Sequence, residues 1–285
     1  MPATVAMSGT PMQKEYWSGP AAEQWATHAD RIDAMMRPMT DDALRVANVK
    51  PGERVLDIGC GSGATSLRLA GAAQPRGAVT GVDISPQLLQ VARTRAAQVD
   101  LPVSFIEADA GAAQFDQKFD AAFSRFGVMF FEQPSAAFTN IRKHLRDGGR
   151  ITFICWRPIA ENGWAMVPIE AITPMFDTPW MPPNTDAPGP FAFSDPAKVE
   201  RILSEAGWRD IAIARWDGDN VIAGGVGLEE STDFLVRIGP CARAIAERGL
   251  DVADVRRRLI ERLAPLHNGT GVALSAACWF VSATA

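Results

Sequence analysis

The residues best suited to chemistry surround a run of glycines near the start of the chain. Asp57 lies shortly before a turn in which Gly59, Gly61 and Gly63 occupy alternate positions. Glycine has no Cβ, so a ligand can approach such a turn closely. The free N–H groups and the dipole at the start of a following helix add to its polarity. The pattern predicts a turn that holds a nucleotide.

The elements around the turn are readable from their apolar spacing. Val55, Leu56 and Ile58 are apolar, as expected of a buried parallel strand. After the glycines, Leu67 and Ala70 stand at helical spacing. We therefore predict a strand, a tight turn and a helix.

A second carboxylate follows the next predicted strand, over residues 77–82. Asp83 ends that strand, and Ser85 caps the helix that begins at Pro86. A carboxylate at this place can accept hydrogen bonds from both hydroxyls of a ribose. The alternative is a surface aspartate that precedes a helix cap.

The amino-acid sequence of the turn resembles the first motif of class I methyltransferases that use S-adenosylmethionine. The run 59–64 also satisfies the dinucleotide pattern G-x-G-x-x-G/A, but the acid inside the strand end favours the methyltransferases. Asp109 ends a third strand over residues 103–108, where that family uses an acid to bind adenine. The N–H of Ala110 would then donate to the ring. The alternative for Asp109 is a helix cap.

The stretch FDAAFSRFGVMFF, residues 119–131, resembles the fourth motif of small-molecule methyltransferases, close to the ubiquinone and menaquinone biosynthetic type. The resemblance covers roughly residues 15–217. It implies S-adenosylmethionine as the cofactor, S-adenosylhomocysteine as its product, and methyl transfer to a small-molecule O, N or C nucleophile. The positions implied to bind the cofactor are Asp57, Gly59, Cys60, Gly61, Gly63, Asp83, Ile84, Asp109, Ala110, Ser124 and Arg125.

The same resemblance implies an α/β fold with three layers. It is a doubly wound, Rossmann-like sheet of seven mostly parallel strands in the order 3-2-1-4-5-7-6, with strand seven antiparallel. We predict an N-terminal helical cap over residues 1–50, its first twelve residues disordered, and a methyltransferase domain over residues 51–285. Insertions are expected at about 157–195, a proline- and aromatic-rich lid that includes Trp164 and Phe193, and at about 228–266, a helical segment.

Three side chains are candidates for work near the transferred methyl group. Arg125 follows strand four and could orient a carboxylate of the acceptor or of the cofactor. Its alternative role is an ion pair with a neighbouring acid. His28 is the candidate general base, and Tyr16, the one tyrosine of the chain, could contact the cofactor or the acceptor.

Composition narrows the class of protein. The formal net charge is −5, so nothing favours nucleic acid, which calls for a basic face. The 4 cysteines are far apart and the 3 histidines are few, so we expect no metal and a reduced, cytoplasmic setting. No apolar run approaches the roughly 20 residues of a membrane span. The expected partner is a small-molecule acceptor, and no stable association with a membrane is expected. A second copy of the chain, in a homodimer, is the other partner considered.

Two alternatives remain open at this point. One is an NAD(P)-dependent oxidoreductase on a similar sheet, against which Asp57, Asp109 and the late antiparallel strand stand. The other is a catalytically silent subunit that binds S-adenosylmethionine, which the sequence does not distinguish from an enzyme.

Overall fold

The centre of the fold is a sheet of seven strands, whose inner members are almost wholly buried. The computed structural model describes residues 13–285, and the disorder predicted for residues 1–12 lies outside them. The strands are β1 (Arg54–Ile58), β2 (Ala78–Asp83), β3 (Val103–Glu107), β4 (Phe119–Arg125), β5 (Leu145–Trp156), β6 (Arg209–Val221) and β7 (Ala273–Thr284).

The strands run in the order β3-β2-β1-β4-β5-β7-β6. The pairs from β3 to β5 are parallel, and β7 is antiparallel to both β5 and β6. This confirms the predicted order and the reversed last strand. The parallel strands all end at one edge, so β1, β2, β3 and β4 bring their last residues together there.

Twelve helices accompany the sheet in the described part of the chain. They are α1 (Gln13–Tyr16), α2 (Pro20–Thr27), α3 (Ala29–Met35), α4 (Arg37–Ala47), α5 (Ala64–Ala73), α6 (Pro86–Ala96), α7 (Pro134–Lys143), α8 (Gly163–Ile172), α9 (Pro196–Glu205), α10 (Leu228–Leu235), α11 (Pro240–Arg248) and α12 (Val252–Leu263). Single 3₁₀ turns lie at 128–130, 159–161, 173–175, 222–224 and 264–266.

Two successive residues of β7 show the three layers. Neighbouring side chains on a strand point to opposite faces. The Cys278 thiol meets the Met39 sulfur of α4 at 4.0 Å, whereas the Trp279 indole donates to the Ser194 carbonyl, before α9, at 2.8 Å. Helices therefore cover both faces, as predicted.

The N-terminal cap differs from its prediction in one respect. The apolar spacing of residues 30–47 predicts a single helix there, but the structure has α3 and α4, which meet at Met36. Pro38 lies in the first turn of α4, and a proline restricts the residue before it and offers no N–H. The break lets α3 turn toward the ends of the strands.

Two further boundaries were predicted wrongly. The glycines of residues 218–227 predict a loop connection there, but residues 218–221 extend β6 because Ala273–Ala276 of β7 offers them a partner. In the sequence, Gly148 and Gly149 predict the end of a helix over residues 135–145. That helix, α7, ends at Lys143, and the glycines lie in the irregular start of β5. Among the described helices, none combines the length and apolar character that crossing a bilayer requires.

Candidate functional site

Asp57 is a fully buried carboxylate at the end of β1. Its Oδ2 accepts hydrogen bonds from Thr65 Oγ1 at 2.7 Å and Ser66 Oγ at 2.6 Å, both in the first turn of α5. Its Oδ1 has no partner within residues 13–285. Burial raises the pKa of Asp57 to about 6, although the two hydroxyls and the nearby charge of Arg125 lower it.

The glycine turn, residues 59–63, requires glycine for two separate reasons. Gly59, Gly61 and Gly63 have φ values of 64°, 52° and 80°, which side chains rarely adopt. A Cβ on Gly59 would lie 2.7 Å from the Cα of Gly127, in the turn after β4. The two backbones therefore touch, and they fix the end of β1 against the end of β4.

Asp83 braces the glycine turn from β2. Its Oδ2 accepts the N–H of Gly61 at 2.8 Å and its Oδ1 accepts the N–H of Ser85 at 2.8 Å. Burial raises the pKa of Asp83 against these donors. Holding the turn through these two N–H groups is a structural task of Asp83 that its place in the sequence does not reveal. The predicted contact with a ribose would use the lone pairs that they leave free. Ile84, the next residue, is half-buried beside Asp83.

Asp109 and Ala110 follow β3 at the same edge. Asp109 is exposed, and its Oδ1 accepts the N–H of Gly111 at 2.8 Å within a turn. No helix lies between β3 and β4 in the described chain, so the alternative interpretation of Asp109 as a helix cap is wrong. Ala110 is buried. Cys60 is also buried, and burial raises the pKa of its thiol well above the usual range, so Cys60 fills space in the turn.

Ser124 and Arg125 are occupied by partners within the chain. Ser124 Oγ donates to the Ile58 carbonyl at 2.8 Å and accepts the N–H of Gly127 at 3.1 Å. Arg125 pairs with Asp33 of α3 at 2.6 Å. The ion pair that was the alternative role of Arg125 is therefore present, and the sequence analysis missed Asp33.

Three packed aromatic rings, those of Phe126, Trp156 and Trp164, follow Ser124 and Arg125 and are called the aromatic column. Phe126 has φ of 65°, unusual for a bulky residue, and its ring stacks on Trp156 at 4.1 Å between centroids. Trp156 in turn lies 4.7 Å from Trp164 of α8. No sequence signal marks the left-handed backbone of Phe126.

The N-terminal cap reaches over the same edge. Trp17 packs edge-on against Phe130 at 5.3 Å and against Trp25 at 5.5 Å. The Ser18 carbonyl accepts the side-chain amide of Gln87 in α6 at 2.7 Å. The cap therefore covers the turn after β4 and touches the start of α6.

His28 and Tyr16 lie toward the helical insertion. The ring of His28 is 5.8 Å from that of Phe234 in α10, and burial, Arg237 and Arg31 lower its pKa. Burial raises the pKa of Tyr16, and Arg243 of α11 opposes this. Within the described residues no hydrogen bond joins either ring to the glycine turn. The structure therefore does not bring these two candidates together with Arg125 by direct contact.

The predicted lid divides into parts with different surroundings. Trp164 is part of the aromatic column, whereas Phe193 packs against Phe138 and Phe153 between α7 and β5. Phe193 therefore belongs to the core and does not face an acceptor. No group of three or more His, Cys, Asp or Glu side chains suited to a metal ion occurs among the described residues.

The chemistry of the site distinguishes between a sulfonium and a dinucleotide. A buried carboxylate with a free oxygen beside the turn attracts a cationic ligand and repels a pyrophosphate. The order with β7 inserted before β6 also differs from the 3-2-1-4-5-6 order of dinucleotide-binding sheets. The residues present fit S-adenosylmethionine.

Comparisons with known proteins also find methyltransferases. Residues 55–149 match the family described as Methyltransferase domain. An uncharacterized protein of Mycobacterium tuberculosis is 38% identical over 135 residues, which are 46% of this chain and 48% of that protein. Demethylmenaquinone methyltransferase of Thermus thermophilus is 34% identical over 126 residues, 44% of this chain and 57% of the enzyme.

The matched part thus spans about half the length of these curated relatives. Among solved structures, a phosphoethanolamine N-methyltransferase of Haemonchus contortus has a TM-score of 0.55 at 17% identity, covering 94% of this chain and 59% of that one. This likeness concerns the fold. The family match concerns residues 55–149, which hold β1 to β4 and the start of β5.

Proposed function

We propose that this protein transfers a methyl group from S-adenosylmethionine to a small-molecule acceptor. The observation that carries the proposal is the free oxygen of the buried Asp57 carboxylate beside a turn of positive-φ glycines. When bound, S-adenosylmethionine supplies a methyl group on a positively charged sulfur that leaves as a neutral thioether. The protein's task is then to align two reactants and to exclude water, which can supply about 7–11 kcal/mol.

Each part of the site has a task under this proposal. Asp57 holds a negative charge near the cationic end of the cofactor. Asp83 hydrogen-bonds the ribose and Asp109, with the N–H of Ala110, binds the adenine. Trp17 and Phe130 exclude water from the transfer, because they meet above the strand ends.

A proton acceptor is needed only for a nucleophile that is protonated at neutral pH. His28 can serve, since its lowered pKa leaves the imidazole neutral and able to accept a proton. Arg125 orients other groups through its pair with Asp33 and does not grip an acceptor carboxylate directly. We propose that the acceptor is apolar and partly aromatic, because the rings of Phe126, Trp156 and Trp164 pack together at the ends of β4 and β5.

The test is a screen of acceptors with product identification. Purified protein is incubated with S-adenosylmethionine and separate quinones, phenols, amines and carboxylic acids. S-adenosylhomocysteine release and the mass of each acceptor are measured, with Asp57→Ala as the control. We expect wild-type protein alone to give an acceptor with one added methyl group. Binding of the cofactor without methylation of any acceptor would contradict the proposal.

One observation favours the second candidate, a silent subunit that binds S-adenosylmethionine. Arg125 is already paired, and no hydrogen bond within residues 13–285 links His28 or Tyr16 to the glycine turn. A silent subunit would bind the cofactor in the screen and release no S-adenosylhomocysteine. It would increase the activity of a partner when mixed with it.

The setting of the protein is part of the proposal. All 4 cysteines are free and buried, which suits the reducing cytoplasm. The net charge of −5 argues against nucleic acid as the acceptor. In addition, Ser124-Arg125-Phe126-Gly127 stands where enzymes that methylate base amines carry an Asn/Asp-Pro-Pro-aromatic run. The homodimer stays a prediction, which sedimentation of the purified protein tests.

A further inference from the structure

Asp33 joins three elements that the sequence motifs treat as separate. Its Oδ1 lies 2.6 Å from Arg125 at the end of β4, and its Oδ2 lies 2.8 Å from Arg95 of α6. Ser62 of the glycine turn donates its hydroxyl to Oδ2 at 3.3 Å. One carboxylate of the N-terminal cap therefore contacts α6, β4 and the glycine turn.

The arginines extend the contacts of Asp33. Arg95 donates from Nη1 to both the carbonyl and the hydroxyl of Ser62, each at 3.0 Å. Arg125 donates to Thr40 of α4 at 3.3 Å. The side chains of Asp33, Arg95 and Arg125 are only 18%, 20% and 13% exposed, so solvent screens their charges weakly.

We propose that Asp33 is a positioning residue that couples closure of the N-terminal cap to the shape of the glycine turn. This inference rests on the proposed function, because it assigns the coupling to the cofactor site. With Asp33 in place, α3 holds Arg95 against the backbone of Ser62, and it holds Arg125 beside the buried Asp57. When the cap opens, both arginines lose this partner and the turn loses a brace.

Asp30 provides a matched control on the same helix. It also pairs with Arg95, but its side chain is 96% exposed, and within the described residues it contacts neither Arg125 nor Ser62. An exposed pair of this kind contributes little. Asp33→Asn and Asp30→Asn each remove one negative charge from α3, so a difference between them reports the inner contacts.

The experiment compares wild-type protein with both variants. Calorimetry gives the Kd of S-adenosylhomocysteine, stopped-flow fluorescence of the cap tryptophans gives its dissociation rate, and hydrogen exchange is followed with and without the ligand. We expect Asp33→Asn to raise both the Kd and the dissociation rate at least tenfold. It should also abolish the ligand-induced protection of residues 16–28. Asp30→Asn should stay within twofold of wild type, and Asp33→Glu should restore part of the affinity.

The outcomes separate this inference from the proposed function. Wild-type protein that binds no S-adenosylhomocysteine contradicts both. If wild type binds and Asp33→Asn keeps its Kd, its dissociation rate and the protection of the cap, only the coupling is wrong. A merely structural role predicts a lower melting temperature for Asp33→Asn with an unchanged gain of protection.

Should Asp33→Asn fail to fold, Arg95→Gln replaces it, since it removes the brace on Ser62 and leaves the Asp33–Arg125 pair intact. An unchanged dissociation rate in Arg95→Gln then contradicts the coupling.

Discussion

The carboxylate of Asp57 is held in surroundings that disfavour its charge. Its pKa is raised from 3.8 to about 6 by burial. Between these values the folded protein binds more protons than the unfolded chain, so stability falls as pH rises through that window. We predict that Asp57→Asn raises the free energy of unfolding at pH 8 by about 2–3 kcal/mol, with little change at pH 4. Urea unfolding at both pH values measures this, and an Asn variant that is less stable at pH 8 would contradict it.

The raised pKa of Asp57 also makes cofactor binding depend on pH. A cationic ligand stabilises the charged form of Asp57, and protonation removes that attraction. We predict that the Kd of S-adenosylmethionine for wild-type protein rises about tenfold from pH 7 to pH 5. Calorimetry across this range checks it, with Asp57→Asn as the comparison. The variant should bind weakly and with a flat pH profile, whereas an equally steep profile would assign the titration to another group.

Two glycines of the turn, Gly59 and Gly61, allow the cost of a strained backbone to be measured apart from the cost of a steric clash. Both Gly59 and Gly61 have positive φ, but a Cβ on Gly59 meets the backbone of Gly127 at 2.7 Å, while on Gly61 it meets only the Leu88 side chain at 3.9 Å. We predict that Gly61→Ala loses about 1–2 kcal/mol of stability and Gly59→Ala about 3–4 kcal/mol. Chemical unfolding measures both, and equal losses would mean that the contact with Gly127 is not tight.

Among the elements, the N-terminal cap is the one expected to move. It covers the strand ends through the contact of Trp17 with Phe130 and through the Ser18–Gln87 hydrogen bond. A cover must open for cofactor exchange, so it belongs to the less stable part of the fold. We predict that S-adenosylhomocysteine increases the hydrogen-exchange protection of residues 16–28 and leaves β1 nearly unchanged. Equal exchange with and without ligand would make the segment a fixed packing element.

The predicted lid contributes two aromatic side chains with different tasks. Trp164 is part of the aromatic column, whereas Phe193 packs between α7 and β5. With an acceptor found by the screen, we predict that Trp164→Leu raises the acceptor KM more than the cofactor Kd. The matched variant Phe193→Leu should lower the unfolding free energy by about 1–2 kcal/mol and leave both constants unchanged. A larger effect of Phe193→Leu on the acceptor KM would contradict this division.

Local patterns predicted the elements well where the signal is local. The apolar run before Asp57 marks β1, and Ser85 with Pro86 marks the start of α6, where Ser85 does cap the helix. The end of β6 was missed because pairing with β7, far along the chain, decides it. The break at Met36 was missed because the apolar spacing continues through Pro38.

For the molecule as a whole, the sequence identified the residues that one motif places together, but not those that folding brings from a distance. Asp57 and Asp83 lie at the ends of β1 and β2, Asp109 follows β3, and parallel strands end at one edge. Asp33 and Arg125 are separated by 92 positions, and no local pattern pairs them. No local pattern marks the left-handed backbone of Phe126 either, whose ring stacks on Trp156 of another strand.

The central claim is that this edge of the sheet holds a sulfonium nucleoside and not a dinucleotide. Titration calorimetry of the full chain with S-adenosylmethionine, S-adenosylhomocysteine and NAD tests it most directly. We predict saturable binding of the first two at one site per chain, competition between them, and no heat of binding with NAD. Saturable binding of NAD, without binding of either S-adenosyl compound, would contradict the account.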